Sequence, residues 1–210
     1  MLKKPILISG IWSYISIFVQ GILSFLLVLI FSRFINLSDY GYFTAQMVTI
    51  SLLTNLSQLG VGTYMVKEDE INGKVLFNGL LIVFFSSISI ILGFNLLSLF
   101  LIKPLNISVL DPIFILLTSI ILSNNLYIFF SSILLRSLSN KTLTYINVIP
   151  SLIALSLSII SLNNFSGLTS LIIFFISRSW IKLITIYSFL DIKLTINLDK
   201  KIIKSILNFG

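Results

Sequence analysis

Long apolar runs separated by short polar stretches set the character of this chain. A bilayer hydrocarbon core of about 30 Å takes roughly 20 apolar residues in a helix. Six runs reach that length, at about 9–32, 42–66, 75–102, 112–135, 143–163 and 167–190. The first is too long for a signal-peptide core and lacks a small-residue cleavage site, so it reads as a retained span. Asn, Asp, Lys and Pro gather in the short stretches between the runs. The pattern predicts an all-α, polytopic membrane protein, with six transmembrane helices in one bundle over 1–190 and a basic cytoplasmic link over 191–210.

Within these runs, the polar positions carry the chemical information. In the second, Ser51, Thr54, Asn55, Gln58 and Gly62 follow the i, i+3, i+4, i+7 spacing of a single helical face. Ile50, Leu52, Leu53 and Leu56 fall on the other side. An unsatisfied amide at membrane depth costs several kcal/mol, so the polar face is expected to meet protein or water. Two readings stay open, namely interhelical hydrogen bonding with close small-residue packing and a hydrated pathway. Ser123, Asn124, Tyr127 and Ser131 form a weaker stripe in the fourth run, and Asn147 precedes Pro150 in the fifth. A proline there deletes one helical hydrogen bond and predicts a kink.

The sixth run holds the sharpest signal. Arg178 lies near its middle, with Lys182 one turn further on the same face and Thr185 following. A charge at that depth costs at least about 2.5–3.5 kcal/mol and ordinarily faces a cavity or a partner. No acidic residue falls inside any run. One reading is a cationic wall for an anionic substrate such as a phosphate or acidic sugar. The other is that the span ends earlier and both side chains snorkel.

Composition agrees with the pattern, since 57% of residues are hydrophobic and only 10% charged. A soluble domain carries about 25% charged residues. The absence of Cys and His removes disulfides, thiolates and the commonest metal ligand. The net charge of +7 does not point to nucleic acid, because the basic residues are scattered between apolar runs. Their distribution sets orientation instead. With the N-terminus inside, Lys3, Lys4, Lys67, Lys74, Arg136, Lys141, Lys193, Lys200, Lys201 and Lys204 are cytoplasmic. Arg33 and Lys103 lie outside, and Arg178 and Lys182 lie within the sixth run. The bias predicts N-in, C-in, with lysines beside membrane lipid headgroups.

The stretch FSRFINLSDYGYFTAQ closes the first run and opens the second. Arg33 can snorkel, Ser38 and Asp39 suit a helix N-cap, and Gly41 would relieve the turn. Arg33, Tyr40-Gly41, Leu59-Gly60, Lys67 and the segments ISRSWIKLITIY and LDKKIIKSILNFG follow one another along nearly the whole chain. This series resembles the N-terminal part of bacterial polysaccharide repeat-unit flippases, the O-antigen and capsule translocases of the multidrug, oligosaccharidyl-lipid and polysaccharide exporter superfamily. The chain departs from the family's usual proline and acidic pair before Tyr-Gly, where Leu37 and Ser38 leave Asp39 alone.

The resemblance implies two six-helix bundles around a central cavity, of which this chain supplies the first. It implies transport of a polyprenyl-pyrophosphate-linked oligosaccharide across the bacterial inner membrane for surface polysaccharide synthesis. Arg178 and Lys182 would then contact the anionic head group, while Asn55, Gln58 and Asn124 bond sugar hydroxyls. Arg33, Asp39, Tyr40, Gly41, Gly60 and Pro150 would serve as gate or structural positions. No cofactor, metal or nucleic acid is expected, and other polysaccharide-assembly membrane proteins are candidate partners. Two alternatives compete: a multidrug-type exporter of the same superfamily, and a membrane glycosyltransferase acting on polyprenyl-linked sugars. For the enzyme, Asp39 would be the one acid or base available, with no second carboxylate beside it.

Overall fold

The computed structural model describes residues 3–68, 71–101, 112–190 and 195–209. These form eight α-helices and no strand: α1 (Lys3–Phe31), α2 (Leu37–Ser57), α3 (Val61–Lys67), α4 (Gly73–Leu101), α5 (Pro112–Arg136), α6 (Asn140–Ser161), α7 (Gly167–Ser188) and α8 (Lys200–Phe209). Five, namely α1, α4, α5, α6 and α7, are long and apolar enough to cross a membrane. Their ends fall within a few residues of the expected runs, because a bilayer-length apolar stretch leaves little freedom in where a helix stops. Many aliphatic and aromatic side chains remain exposed along them, Ile17, Phe18, Phe25 and Phe85 among them. That is the expected surface of helices solvated by lipid.

The expected continuous second span over 42–66 is instead two helices. α2 is 21 residues long but carries Gln46, Thr49, Ser51, Thr54, Asn55 and Ser57, which keep it below the apolarity of the other five. It ends at a turn in which Leu59 (φ 46°) and Gly60 (φ 68°, ψ 3°) are both left-handed. Glycine takes that conformation without penalty, whereas Leu59 gives up about 1–2 kcal/mol. The i→i−4 ladder cannot continue through two such residues. The Gln58 N–H turns to the Asn55 carbonyl (3.4 Å), and the Val61 N–H to the Gln58 carbonyl (3.0 Å).

The chain divides into two compact units. The first comprises residues 1–45 and 130–190, the second residues 46–129 and 191–210, with α2 and α5 contributing to both. In the first unit α6 packs on both α1 and α7. Ser151, Ala154, Ser158 and Ser161 are buried along α6, and Gly167 and Ser170 along α7. Small side chains at these spacings let two helix backbones approach closely, the principal source of helix association in a bilayer. At the α1 seam the Asn140 amide donates to Ser9 Oγ (2.6 Å) and Ser13 Oγ (2.9 Å), and Thr144 Oγ1 donates to the Trp12 carbonyl (2.9 Å). A Cβ added at Gly167 would collide with the Phe34 carbonyl, so the turn after α1 and the start of α7 are in backbone contact.

In the second unit α3, α4 and α8 pack on one another. Val61, Met65, Val83 and Ile206 are buried there, and the rings of Tyr64 and Phe209 stand edge-on at 5.8 Å. The described part of the C-terminal stretch is docked rather than extended. The fully buried Asn78 amide donates to the Asn197 carbonyl (2.9 Å) and accepts from the Asp199 N–H (3.2 Å). Asp199 then starts α8, its carboxylate accepting from the Lys201 N–H at 2.9 Å.

Candidate functional site

Arg178 sits eleven residues beyond Gly167 on α7, about 16 Å along the helix axis and so deep in an apolar span. Its guanidinium donates from Nη2 to Gln20 Oε1 of α1 at 3.0 Å and stands 5.8 Å from the centre of the Phe174 ring. Gln20 is itself fixed, because its Nε2 donates to Ser16 Oγ (3.0 Å) and to the Ser16 carbonyl (3.3 Å). Ser16 is buried. With Nε2 committed to α1, only Oε1 can turn toward Arg178, so the amide presents its acceptor to the cation. The Gln20 amide satisfies one of the guanidinium donors and brings no charge of its own. Lys182, half-buried, follows one turn along α7. Two basic side chains thus share one face of α7 within the span, both half-buried.

The other expected substrate contacts lie in the second unit. Asn55 is exposed, Gln58 is half-buried in the turn that ends α2, and Asn124 is half-buried on α5. The face of α2 that packs inward carries Ile50, Thr54 and Ser57, so Ile50, expected on the outer side, is buried at 2% exposure. Asn125, next to Asn124, is the amide drawn into the helix interior, at 1% exposure. It donates to Ser57 Oγ and, at 2.9 Å, to Ser87 Oγ. The Ser86 hydroxyl donates to the Ser57 carbonyl at 2.7 Å, capping the broken end of α2. The structure thus brings Arg178 and Lys182 together with Gln20 in one unit, and places Asn55, Gln58, Gly60 and Asn124 in the other.

Arg33 is exposed in the turn after α1. α2 begins at Leu37, so Ser38 and Asp39 are not its N-cap; Asp39 stands exposed in the first turn, where a carboxylate is favoured by the helix dipole. The Tyr40 N–H donates to the Asn36 carbonyl at 3.0 Å, the bond that closes that turn. Gly41 lies inside α2 without a positive φ, and a Cβ there would meet nothing within 4 Å. Its expected role in relieving the turn therefore falls away; that role belongs to Gly60. Pro150 is buried inside α6, which continues through it to Ser161.

A family model described as polysaccharide biosynthesis protein matches residues 30–210. The chain belongs to this family. No curated protein and no solved structure matches it. The match takes in α2 to α8 and with them Arg178, Lys182 and the amides of α2 and α5. Gln20, Asn78 and Asn125 were the residues that sequence reasoning passed over. For Gln20 a signal existed: a lone amide between Val19 and Gly21, inside an apolar run, has to find a partner.

Proposed function

We propose that the chain translocates a polyprenyl-pyrophosphate-linked oligosaccharide across the bacterial inner membrane during surface polysaccharide synthesis. The observation that supports this most is Arg178, held by Gln20 in the middle of an apolar helix and followed by Lys182. An anionic head group crossing a bilayer meets a desolvation barrier, and fixed cations lower it without covalent chemistry. Arg178 and Lys182 contact the pyrophosphate or acidic sugar in this reading, and Asn55, Gln58 and Asn124 contact hydroxyls. The polyprenyl tail stays in lipid. In this reading the chain is not an enzyme, and Asp39, in the first turn of α2, serves the helix start. The membrane topology is six spans, N-in and C-in, with α2 and α3 together forming the second. Other membrane proteins of polysaccharide assembly are its partners.

The test is surface polysaccharide production in cells that carry variants at the chromosomal position. Arg178→Ala should abolish surface polymer while lipid-linked repeat units accumulate on the inner leaflet. Arg178→Lys should retain part of the activity, because charge rather than fork geometry carries most of the effect. Full polymer in a stably inserted Arg178→Ala protein refutes the reading. Loss of the lipid-linked unit itself, instead of its accumulation, would favour glycosyl transfer.

A further inference from the structure

Asn125 raises a question that translocation does not answer. Its side chain is 1% exposed, it lies near the middle of α5, and its Oδ1 has no hydrogen-bond partner among the described residues. Which way this amide faces follows from counting protons. The Ser57 hydroxyl donates to the Thr54 carbonyl (2.8 Å) and the Ser87 hydroxyl to the Val83 carbonyl (2.6 Å). Each hydroxyl has one proton, now used, so toward Asn125 both can only accept. The NH2 group must therefore face them, and Oδ1 is turned the other way. In the reverse orientation both hydroxyls would have to give up their backbone carbonyls to donate to Oδ1, and the NH2 group would be left without an acceptor. The orientation that keeps the most hydrogen bonds is therefore the one that turns the buried Oδ1 away from both serines.

A buried acceptor without a donor costs about 1–3 kcal/mol, and native interiors rarely leave one so. What fills the site must donate a hydrogen bond or carry positive charge. A cation is disfavoured: all seven acidic residues of the chain lie outside the interiors of the spans, so its charge would stand uncompensated. Water donates, is neutral, and is the usual occupant of such positions. We infer that Asn125 Oδ1 anchors an internal water beside the break between α2 and α3. Water of this kind commonly accompanies an interrupted helix, where the backbone ladder has opened. The site is distinct from the cationic face at Arg178 and does not rest on the proposed transport.

Two measurements on the whole chain decide the matter. In crystals grown from a lipidic mesophase, an ordered peak should appear about 2.7–3.0 Å from Asn125 Oδ1, in both sodium and choline chloride. A dry Oδ1, an Oδ1 bonded to a protein donor, or a peak lost in choline would each overturn the inference. In bilayer nanodiscs, radiolysis in 18O-enriched water should label Phe129, one turn along α5 and only 1% exposed. Hydroxyl radicals reach such a ring only from water already inside. Asn125→Leu should lower that labelling severalfold while exposed Phe209 keeps its own. Unlabelled Phe129 in the parent protein refutes the site without recourse to any variant.

Discussion

Asn78→Ala should loosen the segment 195–209 while leaving the spans intact. The Asn78 side chain makes three hydrogen bonds, of which the one to the Lys74 carbonyl (2.8 Å) stays within α4. The other two, to the Asn197 carbonyl (2.9 Å) and from the Asp199 N–H (3.2 Å), are tertiary and hold the approach to α8. Each such bond contributes about 0.5–1.5 kcal/mol, so their joint loss should cost about 2 kcal/mol of local stability. At 1.4 kcal/mol per factor of ten, that corresponds to about 30-fold more frequent opening. Hydrogen–deuterium exchange in nanodiscs reads it directly, as faster exchange of peptides covering 195–209 and unchanged slow exchange over 73–96. Asn78→Asp would set a buried carboxylate oxygen against the Lys74 and Asn197 carbonyls, and should loosen the segment at least as much as alanine. Exchange over 195–209 that changes less than about threefold would show that the apolar contacts of Ile206 and Phe209 suffice without the amide. Equal acceleration throughout the second unit would show that Asn78 supports the unit as a whole.

Three further outcomes can be checked. Gly167→Ala should lower the thermal unfolding temperature in detergent, by about 1–3 kcal/mol of overpacking against the Phe34 backbone. Gly10→Ala and Gly21→Ala, where a Cβ meets nothing within 4 Å, should be neutral or slightly stabilising. Asn140→Ala removes the amide that bridges Ser9 and Ser13, and should cost about 1–2 kcal/mol in the same assay. For the proposed topology, a phosphatase reporter fused after Asn164 should be active, and a fluorescent reporter fused after Ser139 should be bright. The reverse pattern at both sites would invert the orientation. A fusion near Asn106 tests a further expected outer loop, which lies outside the described residues.

How far the sequence could be read depended on which physical constraint acted at each place. Span ends were legible because bilayer thickness and apolar length leave few choices: α6 and α7 begin within three residues of the positions the runs predict. The break after Ser57 was not, since Leu59-Gly60 looks no different from the many Leu-Gly pairs that helices tolerate. Its cause is conformational, two consecutive left-handed residues, and hydropathy is blind to backbone angles. Faces were harder still. Asn124 and Asn125 are adjacent amides about 100° apart on one helix, and no spacing rule can say which turns inward. The choice depends on Ser57 and Ser87, contributed by two other helices.

The polar residues of these spans sort themselves by what their partners leave unsatisfied. Asn140 is a fastening: its donors are taken by Ser9 and Ser13, and neither hydroxyl introduces a charge. Arg178 differs in kind, because Gln20 accepts one of its five N–H bonds but contributes no negative charge. A bilayer span that needed only cohesion would carry leucine there at lower cost. Asn125 differs again, with both donors engaged and one acceptor turned aside. The acceptor left over at Asn125 is a lone pair, so that position selects hydrogen-bond donors. Hydropathy counts all three residues simply as polar. Only the accounting of donors, acceptors and charge tells a fastening from a site, and that accounting makes Arg178→Leu the informative companion to Arg178→Ala. If Arg178 were a fastening, leucine should loosen the hold on Gln20 and lower stability, while the protein that still inserts makes surface polymer. If it is a site, leucine should abolish the polymer in a protein that remains stably inserted.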